Sequence, residues 1–470
     1  MSDTTVVLVT LIAYKLVLLG VGWWASKRVS DESDFFLASG AGGGGLGAWT
    51  AGLSYAASTS SAWVLLGFTG MVFTQGAVGL WLVPGIFAGY LLTWLLMGPK
   101  LNAETAAKGH ITIVDFITNG MSGSLKRATG LLCAGLILFC FVFYISSQFQ
   151  AAGNALDEVF GLGIAEAVIL GAIVIVIYCL LGGFWAASMT DALQAAVMLL
   201  ACILVPVATV IAAGGVGEVI ETLHAREHHD YFSFTKGAVG MAGVGVAMGL
   251  FGTGFGAMGQ PQLLNRIMAV RTQSERKKAA AITIGWGAVI YSGLICLAFA
   301  GRALQVDTGG ESLFFAAAQN YLPSVLAGIV IAAVLSAVMS TVDSLLLAAA
   351  SAVSHDSGIA YDTPKRALLF GRLAMVGVAV VAVFLTLFLP QEIFSRVLFS
   401  WVALGAAFGP VLLVTCLGMR VRDGFKFAAI CSGFVIAVTA YGIDGTAADV
   451  VEKWGSWLAG LLILFIGKTR

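Results

Sequence analysis

The amino-acid sequence predicts an all-α polytopic membrane protein. It should have about thirteen transmembrane helices, with two inverted five-helix repeats whose first helices are broken. Three observations carry this. Hydrophobic residues make up 59% and charged residues 11% of the 470-residue chain, against roughly a quarter charged in a soluble domain; mean hydropathy is +0.95. Apolar runs of about 20 residues recur from end to end, each long enough to cross a hydrocarbon core. Two of those runs, five apart in order, are rich in residues that weaken helices.

The runs place spans at about 5–25, 44–72, 76–99, 129–156, 163–181, 185–213, 237–263, 278–301, 323–352, 368–389, 395–418, 427–443 and 452–467. The amino-terminal MSDTTVVLVTLIAYKLVLLG lacks a basic leader and a small-residue cleavage site, so it is expected to stay as the first span. No soluble domain fits between spans. The chain reads as one membrane domain over 1–470: a leading helix at 5–25, repeat one at about 44–213, repeat two at about 237–418, and trailing helices at about 427–467. The GAGGGG run at 40–45 reads as a flexible approach to the second span.

Thirteen is odd, which puts the termini on opposite sides. One set of loops then holds 19 Lys/Arg and the other 5, with Lys15 inside a span. Basic loops stay in the cytoplasm, so the expected orientation is amino terminus outside and carboxyl terminus inside, in a bacterial-type plasma membrane. The longest polar segments are then cytoplasmic 100–128 and 353–367 and outer 214–236. Net charge is zero, which leaves nucleic acid no electrostatic footprint. Seven cysteines inside apolar spans show no ligand spacing and read as small core residues. In the outer segment, HAREHHD (224–230) offers a divalent metal His224, His228 and His229, or is simply a solvated loop.

The second span reads AWTAGLSYAASTSSAWVLLG, with Ser54, Ser58, Thr59, Ser60 and Ser61 at its middle. The seventh, GAVGMAGVGVAMGLFGTGFGAMGQPQLL, carries nine glycines and then Gln260-Pro261. Irregular backbone at membrane depth is tolerated where it lines a cavity or is buried in protein. Interrupted segments at matching places in two halves point to a secondary carrier with its site near the midplane. The alternative is close packing of small-residue helices.

The ninth span supplies the chemistry. Ser336, Ser340 and Ser344 repeat at i, i+4, with Thr341 and Asp343 beside them, giving a ridge of hydroxyls and one carboxylate. Sodium, a hard cation, takes about five or six oxygens, as related hard cations do. A second acid, Asp191, lies near one end of the sixth span, where meeting the helix dipole is its alternative role. With Lys15 on a distant, peripheral span, both acids are expected to lack a basic partner in the membrane and to take cations or protons as counter-charges. No nucleophile–base pair lies at membrane depth, which argues against an enzyme.

LSYAASTSSAWVLLG (53–67), LLGGFWAASMTDALQ (180–194), GQPQLLNRIMA (259–269), VLSAVMSTVDS (334–344) and LGAAFGPVLL (404–413) together resemble the sodium/solute symporter family, and most closely its bacterial sodium/proline branch. The resemblance implies a LeuT-type fold with an extra leading span, and Na+ as coupling ion with no further cofactor. It implies a sodium site at Ala57, Ser60, Ala337, Ser340 and Thr341. A second sodium site of some members corresponds to Asp191, Ser340, Asp343 and Ser344. By position, the solute cavity would involve Thr59, Ser61, Gln75, Tyr144, Gln148, Phe251, Phe255 and Trp401, each of which could instead be core packing. The proline branch has an aspartate where this chain has Thr59, and aromatics where it has Thr253 and Ala257, which argues against proline. The expected partners are a small solute, Na+ and the lipid bilayer. Competing readings are a transporter-like sensor, and a uniporter or channel not coupled to sodium.

Overall fold

The computed structural model describes residues 3–26, 32–37, 45–181, 183–358, 363–389 and 393–469. Among the described residues the regular elements are all helices. Of the GAGGGG run, residues 40–44 lie outside them. The main helices are α1 (Asp3–Ser26), α2 (Ala48–Thr59), α3 (Thr69–Gln75), α4 (Leu82–Leu91), α5 (Ile113–Thr118), α6 (Gly123–Phe160), α7 (Ile164–Leu181), α8 (Phe184–Ala212), α9 (Gly240–Gly252), α10 (Pro261–Met268), α11 (Gln273–Ala303), α12 (Ser324–Ser351), α13 (Pro364–Phe388), α14 (Ile393–Cys416), α15 (Asp423–Tyr441) and α16 (Ser456–Ile466).

Nine helical stretches among the described residues are long and apolar enough to cross a membrane, and Leu8–Trp24 and Ile164–Ile177 are shorter apolar helices. The count of thirteen is not confirmed by that measure. The first piece of the second span has only 12 residues, its second piece merges with the third span into one 46-residue stretch, Trp63–Lys108, and the final helix has only 11 residues.

Helix α12 is the axis of the bundle: every residue from Val330 to Ser351 is buried. Helices α6, α8 and α14 pack around it or its neighbours. Helix α13 shows the lipid-facing pattern, with Leu369, Leu373, Val380, Phe384 and Phe388 exposed and Met375, Ala379 and Ala382 buried. In hydrocarbon such an apolar outer face carries no penalty, so hydrophobic residues cover both sides of peripheral helices.

Both expected breaks are present. Helix α2 ends at Thr59, and Ser60 leaves helical geometry with φ −95° and ψ 59°. Serine and threonine hydroxyls compete for backbone groups; here the Thr59 hydroxyl donates to the Ala56 carbonyl at 2.9 Å. A π-helical stretch, Trp63–Phe68, restarts the chain. In the seventh span, α9 gives way to a 3-10 segment, Thr253–Gly259, then an extended Gln260 and Pro261 as first residue of α10. Proline has no N–H and a fixed φ, so it starts a new helix where the old one cannot continue.

The small-residue alternative also holds for this segment. A Cβ added at Gly254 would sit 1.8 Å from the Gly85 carbonyl oxygen, and one at Gly256 would sit 2.0 Å from the Trp401 ring. The glycines admit α4 on one side and α14 on the other, while Gln260-Pro261 makes the turn. Packing and interruption are served by the same run.

The leading helix is placed differently from expectation. Helix α1 lies against α8 and α12. Tyr14 shares a hydrogen bond with Ser336, and the Lys15 ammonium contacts the Met339 sulfur. Lys15 therefore lies against the ridge-bearing helix, not distant from it. An amine in hydrocarbon is costly and leans on whatever acceptor the packing offers, here the weakly accepting sulfur of Met339 on α12.

Candidate ion and solute site

The end of α2 and the middle of α12 converge. Ser340 donates from Oγ to the carbonyl of Ala57 at 3.3 Å and to that of Ala337 at 3.2 Å. Thr341 donates from Oγ1 to the Ser58 carbonyl at 3.4 Å. Ser58 returns the contact, donating to the Ser340 carbonyl at 3.4 Å and lying 3.1 Å from the Ser344 hydroxyl. Residues 283 positions apart thus present carbonyl and hydroxyl oxygens to one another across a helix break. Ala57, Ala337, Ser340 and Thr341 meet as expected. Ser60 is buried at the break, and its hydroxyl has no protein partner; a dry, unpaired hydroxyl costs about 1–3 kcal/mol. Ser58 was missed, although it lies one residue from Ala57 in the same hydroxyl run.

The ridge is split. Ser336 turns to Tyr14 and to its own Ala332 carbonyl, away from α2. Ser340, Thr341 and Ser344 face the break. An i, i+4 repeat puts side chains on one stripe, but which neighbour each depth meets is set by packing.

The expectation of unpaired acids needs correction. Arg266 of α10 is 1% exposed, and its Nη2 lies 2.8 Å from Asp191 Oδ2. The same guanidinium donates to Ser54 at 2.8 Å, to Ser344 and to the Gln262 carbonyl. Ser54 also donates to Asp191 Oδ2 at 2.6 Å. The proline that restarts α10 turns this residue inward; counted as a loop cation, it had supported the topology. Without it the basic loops still hold 18 against 5.

Asp343 accepts from Ser344 at 3.1 Å through Oδ1, while its Oδ2, like Asp191 Oδ1, has no protein partner. The one guanidinium is taken by Asp191, so Asp343 has no basic partner among the described residues. The arrangement can hold a desolvated cation, because oxygens from two helices meet beside two carboxylate oxygens that have no protein partner.

A sequence model of the sodium:solute symporter family matches residues 35–433.

This chain belongs to the sodium:solute symporter family.

Relatives include the osmoregulated proline transporter OpuE of Bacillus subtilis, 32% identical over 91% of this chain and 87% of its own. The sodium/proline symporter of Escherichia coli is 30% identical over 93% and 88%. Among solved structures, a Na+-coupled sialic acid symporter superposes with a TM-score of 0.81 over 99% of both chains at 15% identity, a likeness of fold. The protein is thus a sodium-coupled solute symporter of the multi-pass membrane type, with a LeuT-like fold.

Within this symporter, the expected solute-side residues fall into three groups. Thr59, Ser61, Tyr144 and Gln148 gather at the first break: Tyr144 donates to Ser61 at 3.4 Å, and Gln148 Oε1 accepts from the Ala62 N–H at 3.1 Å. Tyr90 faces Thr59 and Ser60 from α4 and was not foreseen. Trp401 stands at the second break, donating from Nε1 to the Thr253 carbonyl at 2.9 Å.

Phe251, Phe255 and Gln75 lie elsewhere. Phe251 stacks on Trp454, and Phe255 packs 4.9 Å from Trp454 and 5.8 Å from Trp457, so both cement the seventh span to the trailing helices. Gln75 ends α3, some fourteen residues and about 21 Å along the helix from Ser61. Its neighbours Val72 and Phe73 accept from Tyr231 at 3.2 Å, which puts Gln75 beside the 214–236 segment.

Proposed function

We propose that this symporter takes up a small amino-acid-like solute across a bacterial plasma membrane by alternating access, with Na+ held between α2 and α12. The observation that carries the reading is the approach of Ser340 and Thr341 to the Ala57 and Ser58 carbonyls. Sodium replaces those mutual hydrogen bonds with ion–oxygen contacts, so its arrival tightens one helix against the other. Ala57, Ser60 and Ala337 contribute carbonyls, and Ser340 and Thr341 contribute hydroxyls. The two carboxylate oxygens without protein partners, on Asp191 and Asp343, are the donors of a second sodium site with Ser344.

The solute binds at the first break, against Thr59, Ser61, Tyr144 and Gln148, with Trp401 supplying an aromatic surface near Thr253. The relatives named above carry proline. Thr59 in place of an acid, and Thr253 and Ala257 in place of aromatics, favour a related but different amino-acid-like solute here. Repeat one (about 44–213) and repeat two (about 237–418) rock about the site, with the amino terminus outside and the carboxyl terminus in the cytoplasm.

The test uses the purified protein in proteoliposomes. Amino acids, carboxylates, sugars and osmolytes are screened by thermal shift with and without Na+, and positives are assayed for uptake. Accumulation driven by an inward Na+ gradient, weakened in Thr341→Ala, is the expected result. Uptake indifferent to Na+ would mean a uniporter or channel.

A further inference from the structure

Among the described residues outside the ion and solute site, one group of metal-ligating side chains joins two elements far apart in sequence. Asp115 lies in α5, and His355 and Asp356 end the π-helical turn, Ala352–Asp356, that closes α12. One ligand atom from each lies within 4.8 Å of the others, and all three side chains are half-buried. His355 Nε2 sits 3.0 and 3.1 Å from the two Asp115 oxygens.

Thr112 ties the set together. Its Oγ1 donates to Asp356 at 2.6 Å and accepts from the Asp115 N–H at 3.2 Å. Asp115 in turn accepts from the N–H groups of Ile111 and Thr112 at 2.9 and 3.2 Å. Both carboxylates are thus oriented by neighbours that are not themselves metal donors, as metal-site ligands usually are. Two residues before this cap, His110 is nine-tenths buried with an unpartnered Nδ1, and Asp115 is the acid that acts on it most strongly.

We propose that Asp115, His355 and Asp356 bind a divalent transition cation, Zn2+ foremost, on the face that the Lys/Arg distribution assigns to the cytoplasm, and that the bound ion clamps α5 to α12. One imidazole nitrogen and two carboxylate oxygens, with water completing the shell, suit Zn2+ or its first-row neighbours better than Mg2+ or Ca2+, which favour oxygen alone. On binding, His355 Nε2 exchanges its Asp115 contact for the metal. Asp356 lies twelve residues, about 18 Å, along the same helix from Ser344. A cross-link there restrains the helix that carries the sodium hydroxyls, so occupancy slows turnover. The clamp rests on the carrier reading above; the binding site does not.

The test titrates chelator-treated full-length protein in detergent with ZnCl2 by calorimetry. A variant with His224, His228 and His229 all changed to Ala removes the competing outer-loop site. That variant should bind one Zn2+ at micromolar concentration or tighter, and adding His355→Ala or Asp356→Asn should weaken binding at least tenfold. Undiminished binding in those variants, or no binding once the outer loop is changed, overturns the site. X-ray absorption at the zinc edge of the outer-loop variant is the check independent of any fold loss: imidazole plus oxygen is expected, and sulfur or oxygen alone overturns it. Proteoliposomes with micromolar Zn2+ on the site's side should show uptake slowed at least threefold, reversed in His355→Gln. Zinc bound without slowed uptake overturns the clamp. A chain with no Na+-driven uptake but intact zinc binding overturns the carrier reading instead.

Discussion

The guanidinium of Arg266 and the carboxylate of Asp191 meet at 2.8 Å, both essentially sealed from solvent. Each is the other's counter-charge at membrane depth, where an isolated ion is costly. Removing one partner strands the other. Asp191→Asn and Arg266→Gln should each destabilise the protein by about 3–5 kcal/mol, while the double variant should lose less than the sum. Thermal unfolding of the four purified forms in detergent measures the coupling; additive losses would mean that the pair does not act as a pair.

The hydroxyl stripe on α12 is functionally divided. Ser340→Ala and Thr341→Ala each remove an oxygen that faces the α2 break, and each should weaken Na+ binding about tenfold, corresponding to about 1.4 kcal/mol. Ser336→Ala, whose hydroxyl goes to Tyr14, should leave Na+ affinity unchanged. Sodium titrations followed by thermal shift separate the two outcomes.

Ionised beside a bound cation, Asp343 brings a charge that no basic side chain contacts among the described residues. Asp343→Asn keeps its shape and removes that charge, so apparent Na+ affinity should fall. If Asp343 and Asp191 hold a second ion, the charge moved per solute, read from current and radiolabel uptake together, should drop by one. An unchanged ratio argues for a single ion.

Close backbone approach makes Gly254 intolerant of any side chain. Gly254→Ala places a methyl 1.8 Å from the Gly85 oxygen and should abolish monodisperse protein on size exclusion. Gly285→Ala, where an added Cβ meets nothing within 4 Å, should be neutral or stabilising by up to about 1 kcal/mol. Equal behaviour of the two would show that α4 and the broken segment are not packed this tightly.

Much of this protein is legible without coordinates, and for a physical reason. Lipid forces every backbone polar group to be satisfied within a helix, so apolar length announces the spans, and Ser58–Ser61 and Gln260-Pro261 announce where helices fail. The pairing of Ala57 with Ser340 followed from both being small or hydroxyl-bearing at the expected depth, together with the family resemblance. Phe251 and Phe255 show the limit. An aromatic residue beside a break faces either the cavity or a neighbour, and only the position of Trp454 decides.

What the chain by itself determined was the solvent it folds in, the two places where its helices break, and the oxygen-rich stripe opposite the first break. These are local properties, set by residue type and period. The tertiary structure alone decided the charges: that Arg266 turns inward to Asp191, that Lys15 and Tyr14 lean on α12, and that Asp115 meets His355. Such contacts join residues as many as 324 positions apart, and no period along the chain encodes which side chain lies across a packed interface.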